Sequence, residues 1–226
     1  MVGFVYSFPA FFGKKLCQHS HQLAVLPKYR GSGIGKKLKW AQRSWALKEG
    51  YDLLTWTFDP LQARNANLNF HTLGAVSKTY LPNFYEATSL LSLAPGVPTD
   101  RFLTEWHLKD KEVERRKKNK FDSYDLAQIP RILERKSSKD RNLYPSRPLL
   151  RIKEKFALVE VPQDINLLRQ DPALILKWQQ AIQQVMSHYF RRGYWCIDFV
   201  YGERSFYVLE RKAKSSLIKN KRGNKE

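Results

Sequence analysis

Along the first hundred residues the apolar positions switch repeatedly between a period of two and a period near 3.6, as strands interleaved with helices require. A β-branched and aromatic run at residues 3–8 predicts a strand. Residues 16–26 predict a second, which by alternation sets Cys17, His19, His21, Leu23 and Val25 on one face and is ended by Pro27. A glycine-rich turn then leads into residues 34–48, where Ile34, Leu38, Ala41, Trp45 and Ala46 recur at helical spacing before Gly50. Residues 53–58 read as a strand broken by Asp59 and Pro60, and residues 66–73 as a short helix closed by Gly74. Two more strands, residues 75–81 and 102–108, flank a loop holding Pro95, Gly96 and Pro98. The order strand, strand, helix, strand, helix, strand, strand predicts an α/β domain built on a mixed sheet over residues 1–108.

From 109 to 155 the pattern weakens into dense lysine and arginine, as in the run 115–118, and predicts a solvated basic connector with helical stretches. Order returns at residues 156–211 as a β-α-β-β unit. FALVEVP reads as a strand, and Asp171 followed by Pro172 fits the cap and first turn of a helix. Leu174, Trp178, Ile182, Val185 and Tyr189 form that helix's apolar stripe, and residues 194–200 and 205–209 alternate around Gly202 as a hairpin. Such a stripe is more than one helix and one hairpin can bury, so the unit is expected to pack on the amino-terminal sheet. We expect it there to replace a first strand and helices and to bring residues 195–200 to an acceptor site. Residues 212–226 read as a basic tail.

Composition adds limits. The chain of 226 residues carries 42% hydrophobic and 13% aromatic residues, enough for a core, and a formal charge of +19, which attracts polyanions without specifying a fold. No aromatic-interleaved basic motif accompanies the charge, so nucleic acid is set aside as a partner. Cys17 and Cys196 stand far apart and read as small buried residues, with neither a disulfide framework nor a zinc site. His19 and His21 lack a third ligand at suitable spacing, so no metal is assigned. The apolar start has no basic region before it and no cleavage site after it, and no segment reaches membrane-spanning length; a cytoplasmic protein without a membrane partner is the default expectation.

The chemistry concentrates in LAVLPKYRGSGIGKKL, where a strand runs through glycines into a helix. Gly31, Gly33 and Gly35 let successive backbone N–H groups converge on an anion, and the helix adds the positive end of its dipole. A pyrophosphate fits such a nest. Lys36, Lys37 and Lys39 follow it and read individually as a solvated helix face that adds long-range attraction. Neither GxxxxGK[ST] nor a full GxGxxG is present.

Arg30, Gly33 and Gly35, preceded by Leu23, Ala24 and Val25, resemble the phosphate loop and fourth strand of the GNAT (GCN5-related N-acetyltransferase) superfamily. The chain looks like a bacterial branch of it that carries a C-terminal extension and lacks the usual N-terminal strand and helices. The resemblance spans residues 3–108. It implies a mixed GNAT-like sheet flanked by helices and an acetyl-CoA cosubstrate. It implies further that backbone groups of Leu23, Ala24 and Val25 pair with the pantetheine arm. The N–H groups of Gly31, Ser32, Gly33, Ile34, Gly35 and Lys36 would then hold the pyrophosphate. Phe70 stands where many members have a tyrosine that protonates the departing thiolate, and Ala63 where an asparagine often lies; Asn65, Asn67, Asn69 and His71 crowd the same helix, and Asn65 is the one assigned to the cofactor.

Acetyl transfer by direct attack needs a neutral amine, hence a base or a water path for its proton. His21 and Asp59 are the candidates; a hydrogen-bonded sheet histidine and a turn-capping aspartate are the structural alternatives. The acceptor is a small-molecule or protein amine, and exchange of the second unit through the connector leaves a homodimer open. Two rival readings remain: an acyl-CoA-binding regulatory module without catalysis, and a basic nucleic-acid-binding protein.

Overall fold

Chain direction reverses at Gly13, whose φ of 62° favours glycine, so that β1 (Gly3–Phe12) and β2 (Lys15–Val25) form an antiparallel hairpin. This is a computed structural model, which describes residues 1–85, 93, 96–137, 143–168 and 170–212. After a 3-10 turn (Pro27–Tyr29) come α1 (Ile34–Lys48), β3 (Leu53–Phe58) and α2 (Ala63–Ala66), which runs directly into a π-helical turn (Asn67–Thr72). β4 (Val76–Tyr85), β5 (Thr99–His107), α3 (Lys111–Lys117) and the short strands β6 (Arg131–Leu133), β7 (Arg135–Ser137) and β8 (Leu143–Pro145) follow. The chain continues through β9 (Phe156–Val161), α4 (Pro172–Arg191), β10 (Tyr194–Val200) and β11 (Ser205–Arg211). Part of the proline-containing loop, with Pro95, and nearly all of the basic tail lie outside the described residues.

Nine strands make one mixed sheet in the order β1-β2-β3-β5-β4-β10-β11-β9-β6, with β7 and β8 paired separately. The β-α-β-β unit joins it by strand pairing, Cys196 of β10 against Ser77 of β4, and α4 packs its buried stripe over β4 and β10. Asp171 caps α4 as its sequence predicts, its carboxylate accepting from Leu174 N at 2.9 Å. The unit therefore lengthens the sheet at the β4 edge. It does not occupy the opposite edge, where the expected replacement of a first strand would lie, and the outer side of β1 has no strand partner among the described residues. Residues 195–200 correspondingly stand three strands away from β3 and do not flank the β2–β3 gap.

The core runs without a break across both halves. Phe58, Phe70, Phe102 and Tyr207 meet edge to face at 5.3 to 6.1 Å, and Tyr207, near the end of the chain, donates to Pro60 O at 2.6 Å. Residues 109–155, expected as a solvated connector, are woven into this core: Val113, Ile132, Leu133 and Ile152 are buried, and β6 is a sheet strand. Their lysines and arginines concealed the few apolar positions that carry the packing.

One helix face is also corrected. The buried stripe of α1 is Lys39, Gln42, Arg43 and Ala46, whereas Ala41 and Trp45 of the expected stripe are exposed. Spacing of three and four residues is kept, but three of its four occupants are polar: Arg43 Nε donates to Leu108 O at 2.9 Å, and Lys39 donates to Ser20 and to Gln42 Oε1, while Gln42 Nε2 is buried without a partner among the described residues.

Candidate functional site

The glycine turn is built as its residues require. Gly31 and Gly33 have φ of 83° and 80°, a region in which side chains are strained, and a Cβ added at either would meet no atom within 4 Å, so the surface above them is open. Arg30 Nε donates to Val25 O at 3.1 Å and Ser32 Oγ to Tyr29 O at 2.6 Å, which locks the turn to the end of β2. The first-turn N–H groups of Ile34, Gly35 and Lys36 have no carbonyl one turn earlier to meet and face outward at the dipole's positive end. Lys36 Nζ donates to Asn119 Oδ1 at 2.8 Å, while Lys37 remains on the solvated face.

A cleft leads from this turn into the sheet. β2 and β3 run parallel and pair only at Gln18–Leu54 and His19–Thr55. Immediately after, the β1–β2 register slips, Tyr6 facing Gln22 and Ser7 facing Ser20, so His21 is the extra residue of a bulge. Bulges bend the strand that carries them, and β2 leaves β3 here. The edge of β2 from Ser20 to Val25 consequently has no β3 partner, and a cleft of about 180 Å³ opens between them. It is lined by Ser20, His21, Leu23 and Lys39 on one side and by Trp56, Thr57, Phe58, Asn65, Leu68 and Asn69 on the other.

The bulge also shifts the alternation. His19 and His21 share a face with Tyr6 and Phe8, with ring centroids 5.3 to 6.3 Å apart. Leu23, expected on that face, is turned toward α1, with its Cδ2 3.9 Å from where a Cβ on Gly35 would stand. The cleft is thus bordered by an imidazole from one face of the sheet and by the polar stripe of α1 from the other.

Lys39, expected in solvent, is 3% exposed, and burial pushes its ammonium down to about 7. Its Nζ donates to Ser20 Oγ at 3.0 Å and Gln42 Oε1 at 2.9 Å and lies 3.8 Å from the Trp56 ring centroid. No carboxylate pairs with it among the described residues. Asn69 is 6% exposed and has no hydrogen-bond partner for its amide within the described protein. Both residues line the cleft; neither stands out in sequence, although Lys39, Gln42, Arg43 and Ala46 do follow helical spacing.

The helix that carries Asn69 widens. Leu73 N bonds to Leu68 O five residues back, at 3.0 Å, and the wider turn adds a residue relative to α-helical counting. Asn65 and Asn69 then share the cleft side, and Phe70 is fully buried in the aromatic core. Asp59 lies outside the cleft lining. Its carboxylate accepts from Leu61 N at 2.8 Å, the turn-capping role, and burial pushes it up to about 6.

A second polar group lies beyond the π-helix. Asp198, fully buried in β10, accepts from Arg116 Nη2 at 2.8 Å, from Tyr124 OH at 3.1 Å and from Phe199 N at 2.7 Å, with His71 Nδ1 at 3.1 Å. Burial alone would raise its carboxyl, but His71 and Arg116 hold it below the usual carboxylate range. His71 stacks on Phe121 with centroids 4.5 Å apart. This cluster knots α3, the π-helix and β10 together.

Comparison with known proteins agrees with the amino-terminal part of this geometry. Residues 1–75, about a third of the chain, match the acetyltransferase (GNAT) family. No curated protein sequence matches the chain. Among solved structures, the NatC complex bound to Gag peptide and CoA is 20% identical with a TM-score of 0.40, over 47% of this chain and 60% of that one. Chaetomium thermophilum Naa20 in complex with a bisubstrate analogue is 14% identical with a TM-score of 0.41, over 55% and 66%. The chain spans less than two thirds of either. The segment order from β1 to β5 is a mixed α/β arrangement, of which β1 to the π-helical turn lies within the matched residues. No helix among the described residues is long and apolar enough to cross a membrane.

Proposed function

We propose that the chain is an N-acetyltransferase that takes acetyl from acetyl-CoA and passes it to an amine by direct attack. The observation that carries this reading is the nearness of two features: an open nest of N–H groups at Gly31 to Lys36, and a cleft along the unpaired edge of β2 whose lining residues Leu23 and Leu68 stand beside Gly35. A diphosphate on a long amide-bearing arm matches both, the anion at the helix start and the arm's amides along Leu23, Ala24 and Val25 as an added strand. The unpartnered amide of Asn69 and the exposed Asn65 offer hydrogen bonds from the opposite wall.

The acceptor amine, small or protein-borne, approaches from the face that carries Tyr6, Phe8 and His21, whose imidazole borders the cleft and is the base we assign. Asp59 fits the turn better than the reaction. Enzyme positioning of amine against thioester supplies the remaining rate.

Gly33→Glu tests the site. It places a side chain and a negative charge in the nest, and calorimetry with acetyl-CoA is expected to show binding abolished while circular dichroism shows an intact fold. Unchanged affinity in the folded variant would refute the reading. Binding in the wild-type protein without transfer to any amine would favour a regulatory acyl-CoA-binding module.

A further inference from the structure

The cleft has a closed end, where His19 and Thr55 still pair, and an open end at the glycine turn. Lys39 is at the closed end, bonded to Ser20, the first residue beyond the ladder. Ser20 and Val25 are five strand residues apart, about 17 Å at about 3.3 Å each. An extended pantetheine arm anchored by its diphosphate at the nest spans that distance and delivers its sulfur to the closed end. This step rests on the acyl-CoA reading above.

We propose that Lys39 faces that sulfur and is the proton donor to the departing thiolate. The acceptor nitrogen bonds to the carbonyl carbon, the carbon–sulfur bond breaks with its electron pair on sulfur, and the Nζ proton moves to sulfur. The proton released by the acceptor amine passes to His21 and from it to solvent, from which Lys39 is recharged, so the products are the amide and a free thiol.

The other proton-bearing groups of the lining are less suited. Ser20 Oγ donates to Gln42 Oε1 at 3.1 Å, and His21 borders the cleft from the opposite face of the sheet. Phe70, at the family's tyrosine position, is buried in aromatic rings and has no proton to give. Lys39 is a buried cation whose partners are all neutral: a hydroxyl, an amide oxygen and the Trp56 face. An anion in the cleft completes its coordination, and the anion generated there is a thiolate. Burial lowers the ammonium to about 7, so it releases a proton near neutral pH, while the Trp56 face retains enough cation to donate.

Titrating the thiol of bound coenzyme A, followed by its ultraviolet thiolate band against the ligand-free protein, tests this without an acceptor. In the wild-type complex the thiol is expected to ionise about one to three pH units below free coenzyme A. Lys39→Met should abolish that shift while calorimetry shows coenzyme A still bound, and exposed Lys37→Met should leave it in place. If Lys39→Met does not fold, Lys39→Gln replaces it. A bound thiol that titrates like the free one, or a shift that survives loss of Lys39, overturns the proposal alone. Failure of coenzyme A to bind the wild-type protein overturns the acyl-CoA reading and this inference with it.

Discussion

Phe70 is surrounded by Phe58, Phe102 and Tyr207 and is fully buried, so any polar atom on its ring enters a space without a hydrogen-bond partner. Phe70→Tyr is therefore expected to lower stability by about 1–3 kcal/mol, the cost of a buried unsatisfied hydroxyl, in urea unfolding. It should leave acetyl-CoA binding unchanged, because Phe70 is not part of the cleft lining. Lys39 is the converse case, a charge kept inside where an apolar residue would pack, and its environment is intelligible only beside Ser20, Gln42 and Trp56. Residue identity alone placed Lys39 incorrectly, assigning it to solvent.

At the scale of elements, Asp198 joins three of them. Asp198→Asn removes the one fully buried carboxylate of Arg116, leaving it Glu112 and Asp122 at the surface, and is expected to cost about 1.5–3 kcal/mol at neutral pH, measured by denaturant unfolding. Because the folded carboxyl is held below its ordinary value, its contribution is complete above about pH 4 and is lost as pH falls through the lower folded value. The gap between wild type and variant should close in acid. Strands β2, β3, β9 and β10 and the caps of α1 and α4 were legible in the sequence, since alternation, glycines and Asp171–Pro172 act locally. The bulge at His21, the π-turn and the polar face of α1 were not. Each is set by partners distant in sequence: the Tyr6–Ser7 register, the packing of Phe70 on Tyr207, and the strand beneath Lys39. The nest was therefore read correctly as a loop geometry, while the cleft walls that give it chemistry required the fold.

For the whole molecule, one sheet and one core leave no independent halves. A fragment of residues 1–108 loses β10 from the β4 edge and both Tyr207 and Phe190 from around Phe102, exposing a strand edge and an aromatic patch. It is expected to aggregate or to unfold without cooperativity in calorimetric melting; a soluble monomer with a sharp transition and full acetyl-CoA affinity would show the second half to be dispensable. The net charge of +19 opposes association of copies at low salt, whereas the outer edge of β1 is uncharged over its length.

The two-pair ladder between β2 and β3 gives the sheet a mechanical property. Strands β3, β5 and β4 form a slab with long ladders, and the β1–β2 hairpin is attached to it through four residues of ladder and the polar face of α1. Hairpin and slab are the two jaws of a clamp, with its pivot at His19 and Thr55 and Lys39 just inside the pivot. A molecule that bonds to the free edge of β2 and to Asn65 and Asn69 spans the jaws. It supplies the stiffness that the missing ladder withholds, so the protein is tightest when the cleft is filled.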